Sequence, residues 1–363
     1  MTHNQMPFVS VVVCAYNEEK IIKSCLEGLT SQTYPAEFYE ILIIENDSLD
    51  KTMLVIKNFV KNLSEKSVRV RVLQKKHGGL SESRNVGIEK SFGSIISFID
   101  ADAIPKNTWL EEVVNVFSDN KVDFIGGRIN LLNKGSWIAR FLQDARHHQF
   151  FGPKVFNDQF IGCNMAFRRR VFDSIGGFYE FFTSRGDESA VYSKIQKDFS
   201  YKSATEAVVY HERPESFFSY FYSEWKSAII GVTVRNFLSV RNEWKTILLW
   251  FELFFIFSFF PLLLISILLS FSYLLINAAL CLSIFSIIRR LYMRPASMAL
   301  MRGVIGQYGA FKGIVSYTLF QLILSVVQFT GMVFGSLQKP LDKSVVNMRN
   351  KVTILYEYDS KSR

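Results

Sequence analysis

The 363-residue sequence holds only four cysteines, Cys14, Cys25, Cys163 and Cys281, and none stands at a paired spacing. That excludes a disulfide framework and fits free thiols in a reducing compartment. No basic segment precedes the first apolar run, which is short and ends in Asn17-Glu18-Glu19. It reads as a first strand, not a signal peptide. A glycine-rich basic loop straight after that strand, as a nucleotidyltransferase would carry, is missing from Cys14–Lys20. There is no internal repeat and no low-complexity linker. Net charge is also missing from most of the chain: residues 1–240 carry 29 Lys and Arg against 28 Asp and Glu. A basic stripe along the whole chain is thereby excluded, and nucleic acid is not the expected partner.

What is present begins with buried strands alternating with helices. Val9–Ala15 is a near-continuous apolar run, as a parallel strand buried on both faces requires. A helical pattern follows over Glu18–Gln32, then a second strand at Tyr39–Ile44 and a helix at Lys51–Leu63. A third strand at Val68–Leu73, a helix at Ser81–Ser91 and a fourth strand at Ser94–Ile99 complete the series. This β-α-β-α-β-α-β order predicts a doubly wound α/β sheet. Beyond Pro105 the pattern is mixed, with strands expected at Val122–Arg128, Phe160–Phe167 and Ala204–Tyr210. Helices are expected at Trp109–Phe117, Trp137–Phe151, Arg168–Ile175 and Ser189–Lys197.

From Trp244 the composition turns apolar. Runs at 246–269, 272–288 and 313–337 are about as long as a bilayer core requires, which divides the chain into a domain at 1–240, membrane helices within 241–338 and a basic tail at 339–363. Residues 241–363 carry 13 basic against 5 acidic side chains, a net of +8 beside the most apolar stretch, which points to an anionic membrane surface. Three spans would place the tail opposite the basic loop at Arg289, Arg290 and Arg294, against the positive-inside bias; a re-entrant or interfacial third run is the alternative.

The fourth strand delivers Asp100-Ala101-Asp102 at its C-terminal end, where parallel α/β sheets bind ligands. Two carboxylates one residue apart suit a hard divalent cation that bridges to phosphate oxygens. Such a triplet is near chance level alone, and its position gives it weight. His211 ends another strand. His147-His148 read as a wet helix face, since consecutive residues do not share one.

Taken in order, VSVVVCAYNEEKII at 9–22, ILIIENDSLDKT at 41–52, GGLSESRNVGI at 78–88 and FIDADAIP at 98–105 resemble the family 2 inverting glycosyltransferases of the GT-A fold. FIGCNMAFRRRVFDSIGGFYE at 160–180, RGDES at 185–189 and VVYHERPESF at 208–217 extend the likeness through about residue 240 and into the apolar helices, as in bacterial polysaccharide-assembly members. The resemblance implies a nucleotide-diphosphate sugar lying over the strand ends. Asp102 would bind Mg²⁺ or Mn²⁺, with Asp100 on the ribose or the same ion and His211 completing the metal site. Glu188, with Asp187 the close second, would be the base for the acceptor hydroxyl. The bland reading of that pair is two carboxylates at a helix N-terminus. Ala15, Tyr16, Glu18, Gly78, Gly79, Arg84 and Ala101 would line the donor cleft, although an arginine on a helix is often only a surface residue.

Two departures qualify the likeness. Where the family has paired Asp residues to hold the base, this sequence has Glu45-Asn46-Asp47, so a UDP-sugar is the default and guanosine or thymidine donors stay open. The Q-x-x-R-W motif of processive relatives has no match, the nearest text being SEWK at 223–226, which favours transfer of a single sugar. The aromatic helix Phe217–Phe237 reads as an interfacial element, and a lipid-linked saccharide is the expected acceptor. The expected location is the cytoplasmic (inner) membrane, multi-pass, with the catalytic domain facing the cytosol. The competing reading is a catalytically inactive membrane scaffold or transporter subunit, which predicts loss of Asp100, Asp102 or the Asp187-Glu188 pair; all are present.

Overall fold

A computed structural model describes residues 6–64, 67–150, 160–238, 310–337 and 352–361. The described residues fall into two compact units, one formed by 1–133, 156–212 and 342–363, the other by 134–155 and 213–341.

The first unit is built on a nine-stranded sheet. Its elements in chain order are β1 (Val9–Ala15), α1 (Ile22–Thr30), β2 (Tyr39–Glu45), α2 (Thr52–Lys61), β3 (Arg69–Lys75), α3 (Leu80–Lys90), β4 (Ile95–Asp100), β5 (Ala103–Pro105) and α4 (Trp109–Phe117). After these come β6 (Phe124–Leu131), β7 (Asn164–Arg168), α6 (Arg169–Ile175), α7 (Asp187–Ile195), β8 (Tyr201–His211) and β9 (Ile354–Asp359); α5 (Trp137–Phe150) belongs to the second unit. The spatial order is β5-β8-β6-β7-β4-β1-β2-β3-β9.

β1, β2, β3 and β4 are mutually parallel, and their apolar side chains alternate between two cores. Val9, Val11 and Val13 enter one with α1, α2 and α4; Val12, Leu42 and Phe98 enter the other, where Phe167, Phe172 and Phe178 each pack edge to face with Phe98. Burial on both faces explains why these strands read as continuous apolar runs. The second half of the sheet is mixed. β7 runs antiparallel to β4 and β6, and β5 antiparallel to β8. The doubly wound expectation therefore holds for the first half, and the antiparallel strands complete a GT-A type of sheet.

The stretch read as a basic tail contains β9, which pairs antiparallel with β3 and closes that edge of the sheet. Arg69 pairs with Asp359 through two guanidinium nitrogens, Val70 N donates to Ser360 Oγ at 2.8 Å, and the Lys57 ammonium sits 4.4 Å from the Tyr356 ring centre.

In the second unit α8 (Phe217–Leu238) packs on α9 (Ala310–Leu337). The contact is close: a Cβ on Gly331 would meet Trp225 O at 2.7 Å, and one on Gly335 would meet Ile229 O at 2.9 Å. Trp137 and Phe141 of α5 join Phe217, Phe221 and Phe320 in an aromatic cluster. The expected spans at 246–269 and 272–288 lie outside the described residues. The third, 313–337, forms most of α9, yet among the described residues no helix is long and apolar enough to cross a membrane. Gln321 and Gln328 interrupt its apolar sequence, and the Gln328 amide lies 3.4 Å from Glu224 on α8.

Candidate active site

Strand register assembles the site. Cys14 of β1 stands beside Asp100 of β4, and Ala15 beside Glu45 of β2, so three parallel strands end at one level. β7 pairs Asn164 with Ile99, which brings Cys163 across from Asp100. β8 ends level with β5, pairing His211 with Ala103. Buried Asn164 secures this corner: its Oδ1 accepts from Trp109 Nε1 at 2.9 Å, and its Nδ2 donates to Arg128 O at 3.0 Å and Ala207 O at 2.9 Å.

Asp100, Asp102 and His211 meet there. His211 Nε2 lies 3.2 Å from Asp102 Oδ1. Its Nδ1 lies 2.7 Å from Glu212 O; with the proton on Nδ1, Nε2 is left as the ligand atom. Burial opposes a charge on His211, but the hydrogen bond and charge of Asp102 prevail and hold its pKa above the usual value. Asp100 is pushed up by burial, with Asp102 adding and Arg84 opposing. Ligand atoms of Asp100, Cys163 and His211 all lie within 4.8 Å of one another. Two carboxylates and an imidazole at the ends of strands fit a divalent cation. Cys163 was not legible as a member: no ligand spacing marks it, and only the β4–β7 register brings it in. Ala101 is buried between the two aspartates.

The second group of acids stands at the start of α7. Gly186, at φ +85°, makes the left-handed turn into that helix, so Asp187 and Glu188 occupy its first turn, two residues earlier than the sequence pattern predicts. Asp187 is fully buried and its Oδ2 pairs with Arg84 Nη1. Arg84 Nη2 reaches Asp100 Oδ1 and Gly162 O, each at 3.2 Å. Gly162 leaves the room this needs, since a Cβ there would meet the guanidinium at 2.6 Å. Arg84, expected to approach the nucleotide, is only 2 % exposed and directed into the protein. It is the element that joins the two groups of acids.

Asp187 Oδ1 is buried without a hydrogen-bond partner among the described residues, and a side-chain hydrogen bond links the carboxyls of Asp187 and Glu188. Burial, the Asp187 charge and that hydrogen bond push the Glu188 carboxyl up to about 8. Arg84 outweighs burial at Asp187 and holds it below the usual carboxylate range. The two carboxyls are thus pushed apart, Asp187 down by Arg84 and Glu188 up by burial and by Asp187, an arrangement that suits one to hold a charge and the other to exchange a proton.

Just after β1, the Tyr16 ring is 37 % exposed and 4.5 Å from the His77 ring. Glu18 is pushed up to about 7, chiefly by burial and then by Asp102 and Asp100. The Glu45 carboxylate is buried and accepts from Asp47 N and Ser48 N, closing the turn after β2. Asn46 clamps Gly78, donating from Nδ2 to its carbonyl at 2.8 Å and accepting from its N–H at 3.0 Å. Asp47 adopts φ +57°. Gly79 caps the start of α3. The side chains of His147 and His148 lie outside the described residues.

Residues 10–176 match the Glycosyl transferase family 2 domain, and residues 95–293 match Glycosyl transferase family group 2. The chain belongs to the family 2 glycosyltransferases. Among curated proteins it is similar to Glycosyltransferase AglE of Haloferax volcanii, 31% identical over 50% of this chain and 59% of that protein. It is likewise similar to a dolichyl N-acetyl-alpha-D-glucosaminyl phosphate 3-beta-D-2,3-diacetamido-2,3-dideoxy-beta-D-glucuronosyltransferase of Methanococcus voltae, 31% identical over 38% of this chain and 44% of that protein. The matches thus span about half the length of these relatives. Among solved structures, a mannosyltransferase from Pyrobaculum calidifontis in complex with GDP-Man and Mn²⁺ shares the fold, with a TM-score of 0.56 over 90% of this chain and 87% of that one at 19% identity.

Proposed function

We propose that this chain is an inverting, divalent-cation-dependent glycosyltransferase that moves one sugar from a nucleotide-diphosphate donor to a lipid-linked saccharide in cell-surface polysaccharide biosynthesis. One observation carries the reading: Arg84 ties Asp100, at the cation-ligating corner, to Asp187, beside the proton-accepting Glu188. Acids suited to a metal and acids suited to a base are thereby fixed in one frame.

In this reading Asp100, Asp102 and His211 hold Mg²⁺ or Mn²⁺. When bound, the ion supplies Lewis-acid stabilisation of the charge building on the departing diphosphate. Glu188 takes the proton of the acceptor hydroxyl at a carboxylate oxygen, because Asp187 is already committed to Arg84. The Tyr16 ring beside His77 offers a flat surface for the nucleoside base, and the backbone of Ala15 and the turn at Asp47 border it. Asn46 and Glu45 act one step back, by shaping the loops around Gly78 and Ser48. A UDP-sugar is the default donor.

A lipid-linked acceptor at the cytosolic face of the inner membrane is supported by three features. The C-terminal third is strongly basic. Exposed apolar side chains, Phe218 and Tyr222 on α8 and Ile323, Phe334 and Leu337 on α9, crowd the second unit. The name of the Methanococcus relative specifies a dolichyl-phosphate sugar acceptor. The test is transfer by the detergent-extracted chain from UDP-, GDP- and TDP-sugars to a polyprenyl-diphosphate saccharide. We expect one sugar added with inverted anomeric configuration; transfer to water-soluble sugars alone would count against the lipid acceptor.

A further inference from the structure

The corner that the proposed reading gives to Mg²⁺ or Mn²⁺ contains a sulfur atom for which neither ion has a use. Cys163 precedes β7, is 4 % exposed, and lies across from Asp100 by strand register. Its Sγ, a carboxylate oxygen of Asp100 and a ring nitrogen of His211 lie within 4.8 Å of one another. Hard cations take oxygen ligands, and Mg²⁺ in particular demands an octahedral oxygen shell. A thiolate, an imidazole and a carboxylate together form the donor set of a softer ion.

We propose that Cys163, Asp100 and His211 form a thiophilic cation site, for Zn²⁺ or Co²⁺, built into the same corner as the catalytic cation site. The inference rests on that metal reading and adds the sulfur to it. Tetrahedral Zn²⁺ with bonds of about 2.0–2.3 Å sets its ligands about 3.3–3.8 Å apart, so modest side-chain rotation from the present separation closes the site. As the sulfur–metal bond forms, the Cys163 thiol releases its proton to solvent and no electron is transferred. Three protein ligands leave a fourth position open.

Two features keep the three groups together without a metal. Asn164, next to Cys163, is locked to Trp109, Arg128 and Ala207. The His211 ring is held at Nδ1 by the Glu212 carbonyl, which directs Nε2 toward the aspartates. A soft ion in this corner displaces the hard one, because both need Asp100 and His211. Zn²⁺ therefore acts as a competitor of Mn²⁺, and Cys163 is the residue that gives it the advantage.

The experiment titrates the purified full-length chain with Co²⁺ and follows the near-ultraviolet sulfur-to-cobalt charge-transfer band, with Mn²⁺ binding measured in parallel by electron paramagnetic resonance. The wild type should show the band, and Zn²⁺ should abolish it. Cys163→Ser should lose the band and bind Zn²⁺ at least about tenfold more weakly, while Mn²⁺ affinity changes by less than about threefold. Cys163→Ala serves equally if the serine variant fails to fold. A band that persists in either variant, or a wild type that binds Mn²⁺ yet gives no band, overturns the sulfur ligand and leaves the metal reading intact. A wild type that binds neither ion overturns both.

Discussion

Arg84 and Asp187 stand 103 residues apart in the sequence and form an ion pair in the interior, with both side chains almost wholly removed from water. Removing one partner of such a pair strands the other charge, which costs about 3–5 kcal/mol. Arg84→Met should therefore lower unfolding stability by that order in chemical denaturation. Asp187→Asn with Arg84→Met should recover part of the loss, because the fully buried carboxylate of Asp187 is then no longer stranded. A single variant within about 0.5 kcal/mol of wild type would show that the pair does not hold the interior together.

The same pairing separates the roles of the two acids in α7. Glu188→Gln should reduce kcat by about 10²–10⁴ while the KM for the donor changes little, as expected for a positioned base. Asp187→Asn should reduce both activity and stability. Steady-state kinetics beside thermal unfolding distinguishes the two outcomes, and full activity in Glu188→Gln would move the base to Asp187.

The pH dependence follows from the raised pKa of Glu188, about 8, caused by burial and by Asp187. A base acts as the carboxylate, so kcat/KM of the free enzyme should climb with pH and reach half its plateau well above the ordinary carboxylate range. Asp187→Asn removes the neighbouring charge and should move that midpoint down. The stability contribution runs the other way: a folded pKa above the unfolded value means it is fully present below about 4.5 and is lost as pH rises through about 8. A flat rate profile from pH 6 to 9 would contradict the assignment.

At the far edge of the sheet, β9 covers β3. Ending the chain before Ile354 would leave Val70 and Val72 on an unpaired edge, which promotes association between chains. We expect a lower Tm and a larger aggregated fraction by light scattering. Asp359→Asn alone should cost only about 0.5–1 kcal/mol, since its partner Arg69 is 36 % exposed.

The sequence revealed the parallel half of the sheet because strands buried on both faces are continuous apolar runs, as Val9–Ala15 and Ile95–Asp100 are. Asp100, Asp102 and His211 stood out in the sequence because each lies at or just after the end of a strand, and Asp187 and Glu188 because the family resemblance points to them. The sequence did not reveal Cys163, whose place depends on antiparallel pairing between β4 and β7, across 63 residues of mixed pattern. Nor did it reveal the inward course of Arg84, since a polar residue on a helix reads as exposed until its partners, Asp100 and Asp187, are brought beneath it. β9 was hidden for a different reason: Ile354–Asp359 alternates weakly and finds its register only on β3.

The most direct test of the two-part site is nucleoside-diphosphate release by the detergent-extracted chain, with acceptor present and Mn²⁺ either added or chelated, for wild type, Asp102→Asn and Glu188→Gln. The account predicts release from at least one nucleotide-sugar that stops on chelation and falls by about 10² or more in either variant. Release that is indifferent to the cation and to both substitutions would contradict it.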